Sequence, residues 1–198
     1  MRKGSVRLTD RKGTTSKQPD DGAREALSVS VRVLAEAVHR SGGLSGIQYG
    51  LLTAAVGVRT HRRFADRLQD RFPEADVQKE VPLSDTLDLA TGRIILSGRC
   101  DAIVAETDRI LVIEAKTYLG PADMLPDGGE PVHWAQAALY AALFVRQHRP
   151  ARPVHLALAY VAADTIDITL MVREISPADL DTFLSKTVLA WSETARSE

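Results

Sequence analysis

The apolar run Ile110-Leu111-Val112-Ile113 passes without a turn residue into Glu114-Ala115-Lys116. A short run of this kind reads as a buried strand, and a buried strand needs partners at its edges and cover on its faces. Its end is charged. Residues two apart in a strand point to the same face, so Glu114 and Lys116 project together from the polar end. A carboxylate and an ammonium there can share one pocket.

Taken alone, the pair has a blander reading as a surface ion pair at a strand terminus. Ordinary Glu and Lys usage produces a Glu-x-Lys by chance about once in a chain of this size. Asp10-Arg11-Lys12 shows the difference, since no apolar strand leads into it. Asp101 changes the weighting. It ends Gly98-Arg99-Cys100-Asp101 in the preceding strand, and a hairpin would set it beside Glu114. Two carboxylates held close are costly without a cation between them, and their hard oxygens suit Mg²⁺ or Mn²⁺.

Turn and cap residues divide the rest of the chain. Residues 1–20 are rich in Lys, Arg, Ser, Thr and Gly and read as a flexible basic tail, with 21–198 as a single domain. A helix is expected from about Asp21 to Arg40, stopped by Ser41-Gly42-Gly43. A second helical region spans Leu44 to Phe72, bent or broken near Gly50 or Gly57. Strands follow at about 77–84, 93–105 and 109–116, then a helix at about 131–148 and strands at 153–161 and 165–173. A last helix starts at Ser176-Pro177, with Ser as N-cap and Pro at the first helical position. This order predicts an α/β protein with a mixed central sheet flanked by helices.

Bulk properties narrow the function. The net charge is −1, so a polyanion must be held by a local patch. The one cysteine supplies neither a disulfide nor a zinc or iron–sulfur ligand set, and fits a reducing cytoplasm. Cys100 is one residue out of phase with Asp101, so it is expected to be a buried, inert thiol. The polar N-terminus and the absence of a long uncharged apolar stretch give the expectation of a cytoplasmic protein with no membrane partner.

Two helices complete the pattern. Gln136 and Tyr140 are four apart and share one helix face, where an amide and a phenol can hydrogen-bond a phosphate, a base or Lys116. The alternative is a half-buried tyrosine with its hydroxyl in water. Gly57, His61, Phe64, Leu68 and Phe72 form one helical stripe, apolar except for His61, so the imidazole is expected to point inward. A lone inward histidine is more often bonded to a backbone carbonyl; two nearby carboxylates favour ligation. Arg59, Arg63, Arg67 and Arg71 step along the opposite side and read as a solvated face, with nucleic-acid contact as the alternative. Glu80 reads as a surface strand charge, with a supporting role behind the ligands as the alternative. His133 and Trp134 fit either a substrate-channel wall or plain packing.

Asp101, Glu114-x-Lys116 and Gln136-x-x-x-Tyr140, preceded by Gly57-Val58-Arg59-Thr60-His61 with its Gly-x-x-x-His spacing, resemble the PD-(D/E)XK nuclease superfamily. The order is similar to its RecB-type and CRISPR-associated exonuclease branch, without that branch's four-cysteine iron–sulfur cluster. The resemblance implies a restriction-endonuclease-like core and a Mg²⁺- or Mn²⁺-dependent deoxyribonuclease, exonuclease-like on single-stranded ends, in repair, recombination or defence. It implies that His61, Asp101, Glu114 and the Ala115 carbonyl bind metal, and that Lys116 orients water or supports negative charge. Gln136 and Tyr140 would position the substrate strand or Lys116. No Gly-x-x-x-x-Gly-Lys-Ser/Thr phosphate loop is present, so a helicase partner would be another chain. A second class remains open: a catalytically silent nucleic-acid-binding or scaffold module with the same fold.

Overall fold

Two 14-residue strands, β2 (Asp76–Leu89) and β3 (Gly92–Ala105), form the hairpin around which the sheet is organised. Gly92 takes φ +138° at its turn, a backbone region nearly closed to residues with a Cβ. The structure, a computed structural model, describes residues 26–40, 54–90 and 92–195, with side chains given from residue 59 onward in the helix that begins at 54. The expected basic tail at 1–20, the stop at Ser41-Gly42-Gly43 and the break near Gly50 lie outside these residues.

One edge of β3 is covered along its length by β2. The other edge is shared. β1 (Leu27–Ser30) pairs with Ile94–Ser97 in parallel, and β4 (Ile110–Tyr118) pairs with Ala102–Ala105 antiparallel. Between them Gly98–Asp101 have no strand partner on that edge. Beyond β4 lie β5 (Val154–Ala162), parallel to it, and β6 (Ile168–Glu174), antiparallel to β5. The six strands make one mixed sheet, as the sequence predicts.

Helices cover both faces. α1 (Val31–His39), α3 (Pro131–His148) and α4 (Pro177–Thr194) pack on one core, and α2 (Ala54–Arg71) packs on the other. α3 is buried continuously from His133 to Phe144, and its alanines let it lie close between the sheet and its helical neighbours. Leu139 and Leu143 are fully enclosed, so truncating either to Ala costs about 2–5 kcal/mol. No described helix is long and apolar enough to cross a membrane.

The hairpin changes face partway along. In β3, Ile94, Leu96 and Cys100 belong to the first core, whereas Ala102 and Val104 belong to the second. In β2 the first core takes Val81 and Leu83 and the second takes Val77. The switch falls at Glu80 and Asp101, which face each other between the pairs Lys79↔Ala102 and Val81↔Cys100.

Three local expectations are corrected. Leu27–Ser30 form a strand, not the start of a helix, because they occupy the free edge of β3 with Val29 turned into the core. The helix begins only at Val31, where the Ser30 hydroxyl accepts from the Val33 N–H at 3.2 Å. α2 passes through Gly57 without a break. β6 starts at Ile168 because Ala163–Asp167 form a turn, closed by Ala162 N–H donating to the Asp167 carbonyl. The Ser176 cap is as expected, accepting from Asp179 N–H at 3.0 Å.

Candidate active site

The unpaired stretch Gly98–Asp101 is where the site is assembled. Continuing the β3–β4 register past Ala102↔Ile113 would set Asp101 opposite Glu114, but the ladder stops there. The Asp101 side chain takes the place of the missing bond: Oδ2 accepts from the Ala115 N–H at 2.7 Å. The N–H and C=O of one strand residue leave the backbone on the same edge, so the Ala115 carbonyl also faces this gap. Asp101 Oδ1 lies 3.2 Å from His61 Nδ1, on the helix that covers the second core. Phe64 and Leu68 anchor that helix, and His61 is turned inward and half-buried, as its stripe predicts.

Glu114 and Lys116 leave the other face of β4. Lys116 Nζ is 2.7 Å from Glu114 Oε1 and donates to Gln136 Oε1 at 2.6 Å. The ammonium is thus fixed between the end of a strand and the buried face of α3. Burial pushes the Glu114 carboxyl up to about 7; the Lys116 ammonium opposes the rise and the Asp101 carboxylate adds to it. The hydrogen bond with Asp101 raises His61, with burial opposing it.

Tyr140, one turn after Gln136, points elsewhere. Its ring packs on Gly98, where an added Cβ would sit 2.8 Å from its Cε1 and Oη. Burial holds its phenol well above the ordinary range, and a hydrogen bond from the Arg99 backbone partly offsets this. The glutamine–tyrosine face therefore divides its work, the amide on Lys116 and the phenol on the unpaired segment of β3.

Glu80 lies beside this group. It is exposed, as a surface charge should be, yet ligand atoms of His61, Glu80 and Asp101 lie within 4.8 Å of one another. Glu114 is outside that set, its carboxylate being held by Lys116. Glu80 takes φ +53°, a left-handed backbone that costs a non-glycine residue on the order of 1–2 kcal/mol. Nothing in the sequence signals this. Gly98 was legible in principle, because glycine inside a strand marks close approach of another group.

Other residues are settled by their partners. Cys100 is fully buried, with Sγ against the carbonyls of Ala102 and Ile113, and burial raises its thiol. His133 Nδ1 lies 2.9 Å from the Tyr160 hydroxyl, which accepts from the Glu130 N–H; burial and the Lys116 charge bring the imidazole down to about 3. Trp134 donates to the Gly128 carbonyl under the Arg173 guanidinium, so it packs the loop before α3. Arg59, Arg63, Arg67 and Arg71 are all exposed.

An imidazole and hard carboxylate oxygens gathered this closely fit a divalent cation, since without one their negative charge is only partly balanced. Among solved structures, SSO0001 is 20% identical, covering 86% of this chain and 79% of its own, with a TM-score of 0.49. A candidate exonuclease from Eubacterium rectale is 12% identical over 97% of this chain and 86% of its own, with a TM-score of 0.48. No curated protein matches the sequence. The family model of the PD-(D/E)XK nuclease superfamily matches residues 3–196, nearly the whole length, and the chain belongs to that superfamily.

Proposed function

We propose that the protein is a Mg²⁺- or Mn²⁺-dependent deoxyribonuclease acting on DNA ends, with an exonuclease-like action on single strands. The observation that carries this reading is the placement of Lys116. It is held by both Glu114 and Gln136 at the rim of a strand pair whose gap contains Asp101 and His61. An ammonium with two fixed partners is preorganised to meet negative charge as it develops on a phosphate.

His61, Asp101 and Glu114, with the Ala115 carbonyl, would hold the cation. When bound, a divalent ion supplies a water of lowered pKa and a positive charge beside the phosphate. Asp101 also ties the two strands together through Ala115. Glu114 sets the position of Lys116, which orients the attacking water. Gln136 keeps that ammonium on the reacting side, and Tyr140 shapes the floor of the gap over Gly98. These 198 residues contain no phosphate loop, so they supply no motor of their own, and a helicase is the partner that would present an opened strand to this site.

The test incubates the protein with Mg²⁺ or Mn²⁺ and end-labelled linear, closed-circular and single-stranded DNA, with an RNA strand of the same sequence alongside. Release of nucleotides from linear and single-stranded DNA, lost in Glu114→Ala and Lys116→Ala, is the expected result. Binding of DNA without cleavage would identify the silent module instead. Cleavage that persists in both variants would remove this site from the reaction.

A further inference from the structure

We infer that Glu80 is a further donor to the cation site, standing on its solvent side with its carboxylate held by Arg99. This deepens the nuclease reading and rests on it for the identity of the site. Glu80 and Asp101 sit opposite each other in the hairpin, at the position where both strands change face. The regular pairing lapses there, between Lys79↔Ala102 and Val81↔Cys100, and the left-handed turn of the backbone at Glu80 leaves the two carboxylates converging. Their ligand atoms and that of His61 lie within 4.8 Å, close enough for one ion to reach all three.

Three further features argue that the convergence is built into the fold. Like charges directly across a strand pair repel, and here the repulsion is not avoided by turning Glu80 away. The residue holds a left-handed backbone that glycine or asparagine would adopt with less strain. Its carboxylate is bonded to the Arg99 guanidinium, two residues before Asp101 on β3, which fixes the side chain beside the gap. Glu114 is buried and committed to Lys116, whereas Glu80 is exposed and holds only an exposed arginine. Glu80 therefore stands on the solvent side of the gap, where its carboxylate adds to the oxygens that Asp101 and Glu114 offer.

The experiment measures Mn²⁺ binding to the full chain by electron paramagnetic resonance, without DNA, for wild type and variants. Glu80→Gly keeps the left-handed backbone at ease and deletes the carboxylate, so loss of folding does not obscure the result; Glu80→Gln is run beside it. Both are expected to weaken Mn²⁺ by about tenfold or more, and to do so equally in an Arg99→Gln background. Asp66→Asn, which removes an exposed carboxylate outside the cluster, controls for charge alone and is expected to stay within about twofold. Unchanged Mn²⁺ affinity in both Glu80 variants overturns the inference. So does a loss that disappears when Arg99 is replaced, because Glu80 would then act only on the arginine. Mn²⁺ binding that depends on Glu80, in a protein that cuts no nucleic acid, would sink the nuclease reading and leave this one standing.

Discussion

Asp101 accepts a 2.7 Å hydrogen bond from the Ala115 N–H at the point where the β3–β4 ladder ends. One carboxylate oxygen thus closes the strand pair, and the other faces His61 at 3.2 Å. Asp101→Asn retains an acceptor for Ala115 and loses the charge. Cleavage is expected to fall by more than the roughly 100-fold that loss of a residue behind a metal ligand can cost. Circular dichroism and the melting temperature are expected to stay near wild type. A variant that cleaves at wild-type rate would limit Asp101 to holding the strands.

Gln136 tests whether Lys116 needs its second partner. The bond from Nζ to Gln136 Oε1 is 2.6 Å, and both groups are largely withdrawn from water. Gln136→Ala frees the ammonium to leave the rim while Glu114 keeps its own contact. The expected outcome is a fall in kcat of about 10- to 100-fold with KM changed much less, as for a group acting in the transition state. A rise in KM alone would indicate that Gln136 contacts substrate instead.

The buried Glu114 gives a pH signature with a definite sign. Its folded pKa is about 7, above the unfolded value of about 4.5, so the native state holds more protons between those values. Stability from this group is present below pH 4.5 and declines as pH rises toward 7, by on the order of 3 kcal/mol at most. Urea unfolding across that window, compared with Glu114→Gln, isolates the effect, and the variant is expected to show a flatter profile. Saturating Mn²⁺ favours the carboxylate and is expected to flatten the wild-type profile as well. His133 contributes the opposite slope, losing stability as pH falls below 6.5, and is common to both proteins.

Gly98 and Tyr140 form a packing pair that substitution can uncouple. Gly98→Ala would set its Cβ 2.8 Å from the Tyr140 ring and hydroxyl, and is expected to destabilise the fold by about 1–3 kcal/mol. Tyr140→Ala removes the obstruction, so the double variant is expected to be more stable than the sum of the two losses. Strict additivity in thermal denaturation would mean that the two residues do not touch.

Much of the site was legible because its residues carry chemistry at strand and helix spacings. The apolar body of β4 ending in Glu114-x-Lys116, the inward His61 among Phe64 and Leu68, and the shared face of Gln136 and Tyr140 follow from local periodicity. The core of the sheet was legible for the same reason. What was missed depends on partners distant in sequence. Leu27–Ser30 become a strand only because β4 leaves β3 at Asp101 and exposes an edge for them to fill. Glu80 looks like any charged strand residue until the hairpin register sets it opposite Asp101. The division of Gln136 and Tyr140 between Lys116 and Gly98 likewise depends on where β3 is left unpaired.

Anomalous diffraction from crystals soaked in Mn²⁺ tests the central claim most directly. One strong peak among the side chains of His61, Asp101 and Glu114, beside the Ala115 carbonyl, is the predicted result. Strong peaks only at other surface carboxylates, with this gap holding none, would contradict the account.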